Sequence, residues 1–102
     1  MYKKPFDRAL DEGPLCEWFF INKNVQMAWV YKTPEGRILI QDNIRHFDNV
    51  IEWKASVSKV VNDVFIEGLM FKGPDIEELK EKCLGELSFL NKIQIPYRDR
   101  EL

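Results

Sequence analysis

The stretch VQMAWVYKTPEGRILIQD, residues 25–42, decides the fold of this chain. Two runs rich in β-branched, aromatic and aliphatic residues flank the tetrapeptide Thr33–Gly36. In that tetrapeptide, Pro34 and Gly36 occupy positions that β-turns favour. Because apolar and polar residues alternate in short runs on both sides, the pattern predicts a β-hairpin.

The turn also sets the register of this hairpin. If Lys32 lies opposite Arg37, then Tyr31 lies opposite Ile38, Val30 opposite Leu39, and Trp29 opposite Ile40. One face is then predicted to be core and carries Val25, Met27, Trp29, Tyr31, Ile38 and Ile40. The other is predicted to face solvent or a partial cover and carries Gln26, Ala28, Val30, Lys32, Arg37, Leu39 and Gln41.

A further strand is predicted before this hairpin, over Cys16–Ile21, joined to it by the turn-forming segment Asn22–Asn24. The three strands together form a meander. The run Trp18–Ile21 consists of four consecutive large apolar residues. In either register two of the four point to the more polar face, so both faces of this edge are expected to be covered.

Residues 49–62 fit two patterns. Val50, Trp53 and Val57 have helical spacing, and Asn49 with Glu52 fits a capping box. The β-branched content and the turn-forming pair Asn62-Asp63 favour a strand over this segment. After the turn a last strand follows, Val64–Phe71, which is broken at Gly68. The hairpin is the preferred interpretation, and a second helix over 49–62 is the alternative.

The C-terminal part predicts an amphipathic helix. It begins at Gly73-Pro74-Asp75, with early acidic residues at the positive end of its dipole, and ends near Asn91. The apolar stripe at 3.6-residue spacing consists of Ile76, Leu79, Cys83, Leu87 and Leu90. The tail 93–102 follows, where Ile93, Ile95 and Tyr97 alternate like a short strand.

These elements predict one α+β domain over residues 1–102. A curved antiparallel meander of four to five strands carries a single C-terminal helix packed on it. Residues 1–15 form an N-terminal arm or a short helix in this interpretation, and 93–102 form a tail. A chain of 102 residues has no room for a second core.

Composition excludes several classes of protein. Fifteen Lys and Arg against seventeen Asp and Glu leave a net charge of −2, which argues against a polybasic surface for nucleic acid or lipid. No run of apolar residues is long enough for a membrane span, and the N-terminus lacks the apolar core of a signal peptide. Two distant cysteines are expected to be reduced thiols in a cytoplasmic protein.

Motifs for catalysis and metal binding are missing from the sequence. It contains no G-x-S-x-G, no glycine-rich phosphate loop and no H-E-x-x-H. His46 with Asp48 is a conceivable pair, and Cys83 is expected to be a buried, inert thiol. We therefore predict a protein that is not an enzyme, with no catalytic residue, no metal ligand and no cofactor.

Candidate partner-binding residues lie in three places. On the helix, Phe89 lies away from the apolar stripe, Gly85 lies one turn before it, and Glu78 and Glu81 belong to a nearby acidic cluster. On the first strand, Trp18 and Phe20 are the aromatic residues in excess of the core. In the tail, Ile95 and Tyr97 could add a strand to an open sheet edge.

These features predict a small intracellular protein-interaction module, an inhibitor, adaptor or regulator that occupies a partner protein's surface as a homodimer. Single-stranded nucleic-acid binding through an aromatic sheet face is the alternative. The segment from Ala55 to Leu87, two strands followed by Gly73 and an acidic helix, resembles the strand–strand–helix part of HicB-type antitoxins. The resemblance covers about a third of the chain without a specific motif, and no residue role follows from it.

Overall fold

The computed structural model describes residues 12–23, 26–61 and 63–92, which form an open antiparallel sheet with one helix packed on it. The strands are β1 (Trp18–Lys23), β2 (Gln26–Lys32), β3 (Gly36–His46), β4 (Asn49–Val61), β5 (Val64–Glu67) and β6 (Phe71–Gly73), and the helix is α1 (Ile76–Asn91). The strand order is β1-β2-β3-β4-β5, and β6 also pairs with β4. The predicted α+β architecture is therefore confirmed, with six strands.

The register predicted for the central hairpin is confirmed. Lys32 lies opposite Arg37, and the pairs continue through Trp29 and Ile40 to Ala28 and Gln41. In the turn, the Thr33 side chain accepts a hydrogen bond from the Gly36 N–H at 2.9 Å. Turn chemistry and hydrophobic alternation agree here, which is why the local sequence sufficed.

Three strand boundaries differ from the prediction. Strand β1 begins at Trp18, because Cys16 has φ 61°, a left-handed conformation outside the extended region of regular strands. It continues through Asn22 to Lys23, which had been assigned to a turn. Strand β3 extends past Asp42 to His46, because β4 pairs with it along its whole length.

Residues 49–61 form strand β4, so the alternative of a second helix is wrong. Trp53, Ala55 and Val57 alternate as buried residues along this strand, which is the two-residue period of a sheet covered on one face. Asp63 has φ 65° and joins β4 to β5. The predicted break at Gly68 is confirmed, since β5 ends before it and β6 begins after it.

The helix begins and packs as its sequence predicts. Asp75 is the N-cap, and its carboxylate accepts hydrogen bonds from the backbone of Glu77 and Glu78 at 3.0 and 3.3 Å. At the other end, the nearly buried Lys59 ammonium donates to the Leu90 carbonyl at 3.2 Å and satisfies one of the helix's last acceptors. The helix is thereby held to β4 by a polar contact as well as by its apolar stripe.

The main core lies between α1 and the centre of the sheet. Its buried members are Ile38, Ile40, Trp53, Ala55, Val57, Leu79, Cys83, Leu87 and Leu90. Met27, Trp29 and Tyr31 of β2 are half-buried against it, as the predicted core face requires. Four of the five residues of the predicted helical stripe are fully buried, and the fifth, Ile76, is half-buried.

The opposite face of the sheet corrects one prediction. Ala28 and Val30, expected to face solvent or a partial cover, are fully buried. They form a second apolar cluster with Ile21, and Phe19 and Leu39 pack against it. The physical reason is β1, which places Phe19 and Ile21 on this face, while the backbone at Gly13 lies directly against the Phe19 ring.

Candidate functional site

Strands β3 and β4 are longer than the strands beside them. Strand β2 pairs with β3 only as far as Gln41, and β6 pairs with β4 only from Trp53. Residues 43–52 therefore form a two-stranded hairpin without a neighbouring strand among the described residues, and we call this segment the arm. An isolated two-stranded hairpin gains little stability from its own contacts.

The arm carries apolar side chains in contact with solvent. Phe47 is 86% exposed, and Ile44 and Ile51 are about half exposed. A single exposed apolar residue is ordinary, whereas several on one projecting element are typical of a surface that binds a partner.

The tip of the arm departs from the chemistry that hairpin turns favour. His46 and Asn49 form the last pair, so Phe47 and Asp48 are the two turn residues. Phe47 has φ 55°, a conformation that costs a bulky residue about 1–2 kcal/mol and that Gly and Asn adopt more easily. Its one ring contact is with His46, with centroids 4.5 Å apart. Strain and exposure together make Phe47 a candidate contact residue.

Polar contacts hold the arm in shape. The Asn43 side chain donates to the Glu52 carboxylate at 2.7 Å, and the Arg45 guanidinium pairs with Asp42 at 3.1 Å. The register shifts between Asp42 and Ile44 and again between Ile44 and Arg45. Such irregularities twist a ribbon and change where its side chains point. These contacts and register shifts give the arm a defined conformation, with apolar and acidic groups on its surface.

The structure brings the four predicted helical residues together. Glu78, Glu81, Gly85 and Phe89 follow one another at three- and four-residue spacing on the exposed side of α1, opposite the buried stripe. Phe89 is 59% exposed. Apart from the adjacent residues and the helix's own backbone, no heavy atom of the described residues lies within 4 Å of the position that a Cβ would take at Gly85. This stripe is an open, shallow surface.

Trp18 and Phe20 lie elsewhere, on the face of β1 that α1 covers. Trp18 packs on Tyr31, with ring centroids 5.3 Å apart, and Phe20 packs on Trp29 at 5.0 Å. The Lys80 ammonium lies 3.9 Å from the Trp29 ring centroid and 5.2 Å from that of Trp18. These cation–π contacts attach the helix to this edge of the sheet. Phe20 remains 45% exposed.

Two predicted partner-binding residues, Ile95 and Tyr97, lie outside the described residues, as does the rest of the tail 93–102. The predicted N-terminal arm or short helix over 1–15 also lies mostly outside them, since the description starts at residue 12.

The groups considered for chemistry are dispersed. Cys83 is fully buried, and this burial, together with the nearby Glu86 carboxylate, raises the pKa of its thiol to about 11. Such a thiol is a poor nucleophile. His46 is exposed on the arm. Of the other groups considered for chemistry, Asp48 lies at the same tip. Within the described part of the chain, no three His, Cys, Asp or Glu side chains converge as metal ligands would.

A shallow cavity of about 330 Å³ lies beside the Thr33–Gly36 turn. Its lining includes Arg37 and Lys59, which could suggest a site for an anion. The Lys59 ammonium donates to the Leu90 carbonyl, and the ammonium of Lys32, which also lines the cavity, lies 5.8 Å from the Phe19 ring centroid.

Sequence reasoning missed the arm and its apolar residues Ile44, Phe47 and Ile51. Alternation stops at Asp42, and this break ended the predicted strand there. A signal was nevertheless present, because Phe47-Asp48 lies midway between two runs that can pair. The uncertainty over residues 49–62 concealed it, since a helix in that segment would have removed the pairing partner of β3.

No family model, curated protein or solved structure matches this chain. The resemblance of residues 55–87 to HicB-type antitoxins therefore gains no support from these comparisons. In the described residues, no helix is long and apolar enough to cross a membrane. Any assignment of function consequently depends on the arm, the helix stripe and the edge of β1.

Proposed function

We propose that this protein is a small non-enzymatic interaction module, an inhibitor, adaptor or regulator, that inserts its arm into an apolar cleft of a partner protein. The observation that carries the proposal is Phe47, an aromatic side chain 86% exposed in a backbone conformation that favours Gly or Asn. Aromatic anchors that fill pockets supply most of the energy of many protein interfaces. Ile44 and Ile51 would extend the apolar contact behind the anchor.

The charge of the arm indicates the chemistry of the cleft. Residues 42–52 contain three carboxylates, those of Asp42, Asp48 and Glu52, and one guanidinium, that of Arg45. Because Arg45 pairs with Asp42, the remaining charge on the arm is acidic. A cleft with Lys or Arg at its rim is therefore the complementary surface, and binding should weaken as salt concentration rises.

The cellular compartment belongs to the same proposal. Cys16 is free and exposed, and Cys83 is free and buried. An exposed free thiol is better tolerated where thiols are kept reduced, so we place the protein in the cytoplasm.

Single-stranded nucleic-acid binding is the rival proposal, and the geometry favours it less. Trp18 and Trp29 would have to stack with bases, yet the Lys80 ammonium lies against both rings. Phe19 lies on the opposite face of the sheet, with the Lys32 ammonium 5.8 Å from its ring centroid. The aromatic rings are thus divided between two faces.

Photo-crosslinking tests the proposed function. A photoreactive phenylalanine derivative replaces Phe47 in one variant and Phe89 in a matched control, and the full chain is irradiated in nuclease-treated native lysate. Both positions are exposed phenylalanines, at 86% and 59%, so the comparison separates the arm from the helix stripe. We expect a discrete protein adduct at position 47 that is reduced by added salt and absent at position 89.

Three results would contradict this expectation. An adduct at position 89 alone would move the site to the helix stripe. Nucleic acid that co-purifies before nuclease treatment, with no protein adduct, would favour the rival proposal. Failure of both positions to crosslink in the native lysate would count against an interaction module that uses the arm.

A stability measurement checks that Phe47 is not needed for folding. The variant Phe47→Asn should unfold with a free energy equal to or up to about 1 kcal/mol above that of the natural protein, because Asn adopts the left-handed conformation more easily. Urea unfolding monitored by circular dichroism gives the value. A loss of several kcal/mol would identify Phe47 as a packing residue and remove the basis of the proposal.

A further inference from the structure

The cavity beside the Thr33–Gly36 turn has a positively charged lining in a chain whose net charge is −2. Its described lining residues include three cations, Lys32, Arg37 and Lys59, and one carboxylate, that of Glu35. Glu35 is exposed, whereas Arg37 is half-buried and Lys59 is buried. The cavity therefore concentrates positive charge on a protein that is acidic as a whole, which favours an anionic occupant.

Two polar side chains in the cavity wall lie side by side on the same face of the sheet. Arg37 of β3 lies opposite Ser58 of β4, on the face away from α1, and both residues are half-buried. Within residues 12–23, 26–61 and 63–92, neither side chain has a hydrogen bond or an ion pair. A guanidinium is a rigid fork of N–H donors that fits the oxygens of an oxyanion, and a hydroxyl adds a further donor. This pair of side chains thus offers donors to an oxyanion in the cavity.

A second cation lies beside Arg37. Lys32 of β2 lies directly opposite Arg37 across the hairpin, so two like charges face each other on adjacent strands. Such pairs are destabilising in a sheet. The Lys32 ammonium also lies 5.8 Å from the Phe19 ring centroid, a cation–π contact on this face of the sheet. A dianion bound beside both cations would offset their repulsion, whereas a group with a single negative charge would offset it only in part.

The cavity lining also has an apolar part, formed by Pro34, Val60 and Phe65. Val60 and Phe65 lie opposite each other on β4 and β5, and they are 48% and 60% exposed. A volume of about 330 Å³ is at the lower end of the range for small-molecule sites, which combine apolar contact with a few polar groups that fix the orientation. An occupant with an anionic end and an apolar or aromatic end therefore matches both parts of the lining.

We propose that this cavity binds a small phosphate monoester whose organic group is apolar or aromatic. Arg37 and Ser58 bind the phosphate oxygens, and Lys32 adds the second positive charge. The organic group lies against the apolar part of the lining. A phosphate monoester carries a charge of about −1.5 to −2 at pH 7, which matches two cations better than a carboxylate does. The cavity and the arm lie at opposite ends of β3, so this site is independent of the proposed function.

A titration of the isotope-labelled full chain with phenyl phosphate tests the site, with amide chemical shifts followed by NMR. Phenyl sulfate has the same ring with a single negative charge, and inorganic phosphate has the charge without the ring. We expect phenyl phosphate to bind about tenfold more tightly than either of these compounds. The largest shift changes should fall on residues 32–37 and 58–60.

Four variants separate the site from the general charge of the sheet. Arg37→Gln should weaken phenyl phosphate binding by about tenfold, because the guanidinium donors are lost. The control Lys72→Gln removes a cation from an exposed position outside the cavity lining and should change the affinity by less than about twofold. Glu35→Gln removes the carboxylate of the lining and should strengthen binding by about two- to threefold. Phe65→Ala should weaken binding of phenyl phosphate but not of inorganic phosphate.

Several results would overturn the proposal. One is the absence of saturable phenyl phosphate binding up to roughly 10 mM. Another is an equal loss of affinity in Arg37→Gln and Lys72→Gln, both folded by circular dichroism, because this would indicate a response to surface charge alone. Equal affinities for phenyl phosphate and phenyl sulfate would contradict a site for a dianion. If Arg37→Gln does not fold, the exposed positions Glu35 and Phe65 decide, and unchanged affinity in both of their variants contradicts the site.

Discussion

The two halves of the β3–β4 hairpin belong to the same pair of strands but have different surroundings. In one half, Ile38 and Ile40 face Val57 and Ala55, and all four are buried beneath α1. In the other half, the arm, residues 43–49 are all exposed. Backbone pairing is continuous through both halves apart from the two register shifts. Strand formation and burial are therefore separate properties of this hairpin: the covered half supplies the buried core residues, whereas the contribution of the arm is the half-buried Val50, which packs against that core.

The difference also shows how a small domain can expose a projecting apolar element outside its core. The covered half has ordinary core residues and a sheet neighbour on each side. The arm contains a strained Phe47, two register shifts and exposed isoleucines, features that would be costly inside a core. Three measurements can break or sharpen this contrast.

The largest expected effect compares two isoleucines of the same strand. Ile40→Ala should reduce the free energy of unfolding by about 2–5 kcal/mol, because it removes buried methyl groups and leaves a cavity. Ile44→Ala, four residues further along β3 and half exposed, should change it by less than about 0.5 kcal/mol. Urea unfolding gives both values, and equal losses would mean that the arm is part of the core.

An intermediate effect concerns the thiol beneath α1. The pKa of Cys83 is raised from 9.0 to about 11, so the unfolded chain releases this proton first as pH rises. The stability contributed by the neutral thiol is complete below pH 9 and is lost as pH rises through about 11, by about 2 kcal/mol.

Unfolding curves below pH 9 and near pH 11 measure this loss. Because other groups titrate in the same range, the thiol's share is the difference between the natural protein and Cys83→Ala. Cys16→Ala serves as the control for removal of a thiol at an exposed position. An identical pH dependence in Cys83→Ala would show that the buried thiol does not contribute.

The smallest effects concern two glycines, of which one lies at an open position and the other at a buried position. Gly85→Ala should raise the free energy of unfolding by up to about 1 kcal/mol, because the position is helical and open. Gly36→Ala, at the buried start of β3, should lower it, since the new Cβ would lie 2.8 Å from Leu87 Cδ1 and 3.1 Å from the Ser58 carbonyl oxygen. Thermal unfolding of both variants checks the opposite signs.

Local patterns predicted the elements in which propensity and burial agree. The Thr33–Gly36 turn with alternating runs on both sides predicted the register of β2 and β3. The stripe from Ile76 to Leu90 and the N-cap Asp75 predicted α1 with its buried side. In these elements each residue's preference is satisfied by neighbours within one turn or one strand pair.

Elsewhere the local pattern was insufficient. Val50, Trp53 and Val57 fit a helix and a strand equally well, and pairing with β3 across the hairpin decided for a strand. Ala28 and Val30 were assigned to the more exposed face, because the cover on that face comes from β1 and the residues before it. The arm was missed because its length depends on where β2 and β6 stop pairing.

The sequence by itself determined the α+β class, the central hairpin and the amphipathic helix, because these depend on periodicity and on turn and cap chemistry. Only the tertiary structure decided which apolar residues remain exposed. The exposure of a side chain depends on what packs against it. For Phe20, Phe47 and Phe89, the exposed fraction is decided by strands distant in sequence or by the absence of a described neighbour.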